Sequence, residues 1–257
     1  MMDIQVVKTE LSEIAGLRAL FLQEYMVQFV HNKCHLYGWA DTWRFTLDGQ
    51  TIGYGAVWGR DKREDRDAIF EFYMLKPFRK LTHAAFARFY QVAGTPYIEC
   101  QTNHPLLASQ VFEHARNIYA EAILFEDHFQ TNLPSGDFVF QRKQPESDDN
   151  ANSNDRAYIV SLQNEEVASG GLMLNYNLPF ADIYYEVNEK YRRQGIASFM
   201  VQELKKEAYL MGRVPAARCN IKNMISKSTL LKAGMKVCGY ILQGELSPSL
   251  IPDLNFR

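Results

Sequence analysis

The run from Tyr185 to Ala208, YEVNEKYRRQGIASFMVQELKKEA, limits what this chain can fold into more than any other segment. It reads as a strand ending at Val187, a basic glycine turn from Arg192 to Ala197, and a helix opening at that turn. The first peptide N–H groups of a helix have no intrahelical acceptor, so such a turn forms an anion cradle. Gly195 permits close backbone approach, and Arg192 and Arg193 supply charge. Cations at a helix start oppose the helix dipole unless an anion is present, which argues against ordinary surface charge.

The elements around this run alternate in a way that predicts an α/β chain with mixed sheets in two halves. Asp3 to Lys8 reads as a strand and Leu11 to Val30 carries a helical apolar stripe. Thr42–Leu47 and Thr51–Trp58 form a hairpin about Asp48-Gly49, and Ala68–Leu75 is a strand. Leu81–Val92 is a helix, Tyr97–Gln101 a strand, Pro105–Tyr119 a helix, and Phe138–Arg142 closes the first sheet. The polar stretch Lys143–Asp155 reads as a linker. Beyond it, Ala157–Gln163 and Val167–Asn175 form a second hairpin, followed by a strand at Asp182–Asn188, a helix at Ile196–Met211 and a strand at Ala217–Ile221. A short helix at Ser226–Lys232 and a strand at Val237–Gln243 complete the order. The halves superpose with Phe78, Arg79 and Lys80 opposite Tyr191, Arg192 and Arg193, and Thr82 opposite Gly195. A tandem duplication is expected: 1–143 a degenerate first module, 144–155 a linker and 156–257 the second module.

Composition excludes several classes. Net charge is -2, which argues against nucleic-acid binding by the whole chain. Yet Lys190 to Lys236 holds eleven Lys/Arg against only Glu203 and Glu207, an excess that suits a polyanionic ligand beside the glycine turn. No apolar run is long enough for a membrane span, and the N-terminus lacks an export signal. Cys34, Cys100, Cys219 and Cys238 are widely spaced, so free thiols and a cytoplasmic setting are expected. All six histidines precede the linker, which excludes a Cys219–His pair within the second module. His31 and His35 flank Cys34 without a third ligand, so packing rather than a metal site is expected there.

The run Arg192-Arg193-Gln194-Gly195-Ile196-Ala197 resembles the Arg/Gln-x-x-Gly-x-Gly/Ala pattern of the GCN5-related N-acetyltransferase superfamily, in particular its members with two tandem modules. A second feature, Asn223-Met224-Ile225-Ser226 through Gly234-Met235, stands where that family carries an Asn and a short helix bordering the thiol end of coenzyme A. The resemblance implies a splayed gap between two strands in which pantetheine lies, with Val187 and Asn188 offering backbone groups. It also implies that Tyr191 to Ala197 takes the pyrophosphate of acetyl-CoA or another short acyl-CoA. The implied activity is acyl transfer to the amine of a small molecule by direct attack in a ternary complex, in a monomer or homodimer. A catalytically weak acyl-CoA sensor or scaffold is the alternative, and a tRNA-dependent transferase is disfavoured by the charge.

For the chemistry, Glu186 and Asp182 are the candidate general bases and share one face if their strand is regular. Tyr184 and Tyr185 point to opposite faces, one toward acceptor and one into the core. Many family members place an acidic tyrosine where this chain has Leu230, which leaves Ser226, Tyr240 or solvent to protonate the leaving thiolate. The second module starts at its hairpin and lacks a first strand and helices. The acceptor wall is therefore expected from elsewhere, at an interdomain cleft with Trp39, Trp58 and Tyr73 as candidates. The aromatic group Tyr37, Trp39, Trp43 and Phe45 reads either as acceptor lining or as first-module core.

Overall fold

Two short left-handed turns start the hairpins from which the sheets grow. Asp48 and Gly49 have φ of 49° and 78°, and Gln163 and Asn164 have φ of 50° and 67°, the backbone twist that suits tight hairpins. The protein is described by a computed structural model covering residues 3–28, 31–143 and 156–247. In chain order the elements are β1 (Ile4–Thr9), α1 (Leu11–Glu24), α2 (His31–Leu36), β2 (Ala40–Leu47), β3 (Gln50–Trp58) and β4 (Ala68–Met74). Next come α3 (Thr82–Ala93), β5 (Tyr97–Gln101), α4 (Pro105–His114), β6 (Ala115–Asp127) and β7 (Phe138–Arg142). The remainder are β8 (Arg156–Leu162), β9 (Glu165–Met173), β10 (Phe180–Val187), α5 (Ile196–Leu210), β11 (Val214–Asn220), α6 (Met224–Lys232) and β12 (Met235–Leu246). Among the described residues, no helix is long and apolar enough to cross a membrane.

The chain divides into two units. Unit 1 holds residues up to 27, 31–121 and those from 240 on, and unit 2 holds 28–30 and 122–239. The chain therefore passes from unit 1 to unit 2 within β6 and returns within β12. In unit 1, β1 to β4 pair antiparallel in sequence order, β4 runs parallel to β5, and the second half of β12 pairs antiparallel with β5. Asn117 Nδ2 donates to Glu245 (2.9 Å) and Ser247 N to His114 O (3.2 Å), setting the first half of β6 alongside.

One face of this sheet buries Phe86 and Phe89 of α3 and Leu107 and Val111 of α4, together with Leu242 and Leu246 of β12. Each such side chain contributes about 2 kcal/mol on leaving water. The other face buries Ile14 and Phe21 of α1 against Tyr54 and Tyr73. There the fully buried Glu71 carboxylate accepts from Tyr54 OH (2.7 Å) and His35 Nε2 (2.5 Å) and is ion-paired with Arg18, whose Nε is 3.2 Å away. A buried carboxylate is tolerated only with such partners.

In unit 2, β7, β8, β9 and β10 pair antiparallel in sequence order, β10 runs parallel to β11, and β11 pairs antiparallel with the second half of β6. The first half of β12 stands beside β6, where Lys236 is 3.1 Å from Glu126. Helices α5 and α6 bury Phe199, Met200, Val201, Leu204 and Leu230 on one face of this sheet.

Several expectations are corrected. The helix foreseen over Pro105–Tyr119 ends at His114, and the strand β6 was not foreseen, because its Ala and Glu content reads as helix-forming. β7 pairs with β8 of unit 2 and so does not close the first sheet, and unit 2 is not without a strand before its hairpin. The stripe over Leu11–Val30 is helical only to Glu24. Unit 2 also contains one histidine, His128, which is exposed. His35 is not at a surface but buried on Glu71. Trp43 and Phe45 are core, Tyr37 is exposed, and Trp58 and Tyr73 are buried in unit 1. Most of the expected linker lies outside the described residues.

The second half of β12 carries five paired residues against β5, and Gln243 Nε2 donates to the buried Glu99 (2.6 Å). A chain ending at Gly239 is expected to lose the structure of unit 1. Limited proteolysis should then cut α3 and α4 rapidly while fragments of unit 2 persist.

Candidate functional site

Parallel pairing between β10 and β11 covers only Phe180–Ile183 against Val214–Ala217. β10 continues antiparallel to β9 as far as Val187, without a register shift. Beyond Ile183 the two parallel strands therefore form a wedge with no ladder across it. Asn188 N donates to Val167 O on the β9 side (3.0 Å), so by strand alternation the N–H groups of Tyr185 and Val187 face the wedge. Asn188 is otherwise engaged: its carbonyl accepts Tyr191 N (2.9 Å) and its side chain donates to Glu166 O (2.7 Å). Val187 alone of the expected pair turns its backbone toward the opening.

The turn that follows is tight. Arg192 N donates to Glu189 O (3.2 Å), and Arg192 Nε donates to Val187 O (3.3 Å). Arg193 and Gly195 have φ of 66° and 85°, so the glycine is required by backbone conformation. A Cβ built on Gly195 meets nothing within 4 Å, and the space in front of the turn is open. The ladder of α5 starts with Phe199 N donating to Gly195 O (3.0 Å), no side chain caps the helix, and its first turn has no acidic residue. The N–H groups of Ile196, Ala197 and Ser198 therefore precede the ladder. Arg192, Arg193 and Gln194 are exposed, Ala197 is half-buried, and Ile196 anchors the turn in the core. Beside the turn, Glu165 accepts from Lys190 and from Tyr191 OH (2.5 Å), and these bonds hold its carboxyl below the usual range.

The opposite wall of the wedge is α6. Asn223 Oδ1 accepts Ser226 N (3.0 Å) as its N-cap. Ser226 Oγ lies 2.8 Å from Tyr185 OH, and Cys219 Sγ is 3.9 Å from Asn223 O. Burial pushes the Tyr185 phenol up from its ordinary value, against the hydrogen bonds of Ser226 and Thr229. Leu230 is fully buried in the unit 2 core.

Asp182, Tyr184 and Glu186 share the other face of β10. Asp182 is buried with its Oδ2 3.8 Å from Arg218 Nε, whereas Glu186 is exposed. Arg218 also donates to Tyr176 OH (2.9 Å). Arg218 and Tyr176 went unnoticed in the sequence, although an arginine in the apolar run VPAARCN opposite an aspartate in FADIYY is a readable signal. Tyr240 falls in unit 1, where its N–H donates to Thr102 Oγ1 (2.9 Å). The phenol that reaches α6 is that of Tyr185, from β10. Among the described residues, no group of His, Cys, Asp and Glu is arranged to hold a metal ion.

Unit 1 repeats this frame with different contents. Its β4–β5 pairing is confined to Ala68–Ile69 against Tyr97–Ile98. Arg79 Nε donates to Met74 O (3.3 Å) and Phe78 N to Leu75 O (2.9 Å), the same bonds that Arg192 makes to Val187 and Tyr191 to Asn188. Here, however, Thr82 stands in place of the glycine with φ of −52° and is helical. The Arg79 guanidinium is ion-paired to Glu24. Rings of Phe21 and Tyr25 pack on Tyr73 after β4 has left β5 and on His104, with Phe21 4.9 Å and Tyr25 5.2 Å from the His104 centroid.

Loss of the α6 cap gives a direct check of this architecture. Asn223→Ala should lower stability by about 1 kcal/mol in denaturant titration, and should loosen the Ser226 contact to Tyr185.

Residues 121–234 match the family model described as Acetyltransferase (GNAT) family, a range that nearly coincides with the 122–239 run of unit 2. No curated protein sequence matches the chain. Among solved structures it is similar to an acetyltransferase of the GNAT family from Colwellia psychrerythraea, with a TM-score of 0.74 at 14% identity over 95% of this chain and 100% of that one. It is also similar to a tandem GNAT protein from the clavulanic acid biosynthesis pathway, with a TM-score of 0.59 at 11% identity over 96% and 99% of the two chains. A GCN5-related N-acetyltransferase from Sphaerobacter thermophilus gives 0.53 at 13% identity over 83% and 82%. At these identities the likeness is one of fold. The wedge, the glycine turn and the α6 cap thus lie within the stretch that matches the GNAT acetyltransferases, on a fold of that acyltransferase type.

Proposed function

We propose that unit 2 binds an acyl-CoA, acetyl-CoA being the simplest, and that the protein transfers its acyl group to the amine of a small molecule. The observation that carries this reading is the wedge beside an uncapped, glycine-opened helix start, with open space in front of it. An extended pantetheine has the hydrogen-bonding groups to pair with the backbone of Val187, and a pyrophosphate suits the N–H groups of Gly195 to Ala197 with Arg192 and Arg193 alongside. Gln194 borders the same turn, and Asn223 with Ser226 borders the thiol end.

The transfer needs no covalent enzyme intermediate. A neutral amine attacks the thioester carbonyl, a strand N–H stabilises the developing oxyanion, and a base takes the amine proton. Glu186, exposed on the face opposite α6, is the better base. Asp182 is buried against Arg218 and serves to hold that arginine. Much of the rate comes from holding both substrates in line.

The two units are read as two acetyltransferase-type modules, the first degenerate. Arg79 is spent on Glu24, Thr82 closes the turn, and aromatic rings bridge the opened strands. A second reading, an acyl-CoA sensor without turnover, is favoured by one observation: the buried Leu230 brings no proton donor to α6.

Isothermal titration should show acetyl-CoA binding to the full chain. Arg192→Ala and Gly195→Asp should each weaken it by about 10-fold or more, while Thr82→Ser leaves it unchanged. Equal affinity in both unit 2 variants would remove the cradle from the argument. Thiol release with a panel of small amines then separates enzyme from sensor: the enzyme releases thiol with at least one amine, the sensor with none.

A further inference from the structure

Resting on the reading of unit 2 as an acyl-donor site, the geometry points to Tyr185 as the acid that protonates the departing thiolate, its phenol delivered from the strand rather than from α6. Pairing of β10 with β11 ends at Ile183, so Tyr185 stands about 7 Å further along the strand, just inside the mouth of the wedge. Strand alternation turns Tyr184 to the opposite, exposed face and Tyr185 toward α6. Its hydroxyl crosses the opening to Ser226 Oγ at 2.8 Å and is 3.5 Å from Ser226 O. The N-cap bond from Ser226 N to Asn223 Oδ1 fixes the serine that receives it.

Among the described residues around the opening, the other candidates offer less. Leu230, one turn along α6 from Ser226, is apolar and buried. Cys219 is buried and its thiol is pushed up by that burial. Tyr185 is half-buried, and a phenol that desolvation keeps protonated retains its proton until a stronger base forms beside it.

The step balances without a co-reactant. The amine nitrogen bonds to the thioester carbonyl carbon, and the C–S bond breaks with its electron pair remaining on sulfur. That sulfur takes the proton of the Tyr185 hydroxyl. The phenolate is reprotonated from solvent by way of the Ser226 hydroxyl, and the amine proton leaves through base or water, so amide and free thiol are the products.

The test uses the full chain, acetyl-CoA and an amine that supports thiol release. Tyr185→Phe should lower kcat about 100-fold and leave the dissociation constant for acetyl-CoA within about twofold. Replacing Tyr185 by 3,5-difluorotyrosine, nearly the same shape with a more acidic phenol, should move the basic limb of the kcat profile to lower pH. A purely structural tyrosine would leave that limb where it was. Full kcat in Tyr185→Phe, or an unmoved limb in the fluorinated protein, overturns the assignment. If Tyr185→Phe fails to fold, the fluorinated variant decides alone. Failure of the unaltered protein to bind acetyl-CoA would overturn the donor-site reading and this assignment together; binding without thiol release from any amine would overturn the assignment alone.

Discussion

The end of the β10–β11 ladder at Ile183 and Ala217 is the constraint on which unit 2 depends. Unpaired strand backbone is costly unless something satisfies it, and a fold keeps such an opening only when both sides are held independently. Here β9 holds β10 as far as Val187, and β6 holds β11 through Asn220. The wedge is thus fixed by its outer neighbours, and the Tyr185 hydroxyl reaches from β10 to Ser226 of α6 beside it. The glycine turn then places its free amides beside the opening because Arg192 is fastened to Val187, the last residue of the strand.

Unit 1 shows how little must change for the same frame to be used otherwise. Its strands also part early, and its turn makes the same two hydrogen bonds. What differs is that a β-branched residue is helical where Gly195 has positive φ, and that Glu24 at the end of α1 claims the arginine. Rings from α1 then occupy the ground between Tyr73 and His104. In unit 1, aromatic burial and one ion pair fill the ground between the parted strands.

The sequence made the local features legible. Asp48-Gly49 announced its hairpin, and Arg192 to Ala197 announced the turn, because both rest on backbone conformations that few residues accept. Arg79 and Arg192, paired when the halves are laid over each other, each donate to the carbonyl five positions back. Long-range pairing was not readable. Ala115–Tyr119 reads as the end of a helix and is the start of β6, which β11 and β12 flank. The polar stretch after Lys143 looked like the seam, yet the passages between units lie inside two strands, where no composition shift marks them. Tyr185 was ambiguous for a related reason: its partner Ser226 is far along the chain and only the folded wedge brings them together.

The route of the chain through β12 has a consequence for how the protein is made. Helices α1 to α4 of unit 1 are translated before the main run of unit 2, but the strand that pairs with β5 is Ile241–Glu245, which follows that run. Unit 2 has its described strands once Gly239 has emerged, whereas in unit 1 one edge of β5 stays unpaired until the second half of β12 has followed. An open strand edge is the kind of surface on which nascent chains join one another. Vectorial synthesis thus leaves the older of these two units as the later one to mature, and puts its need for chaperones in the interval between the synthesis of β5 and that of β12.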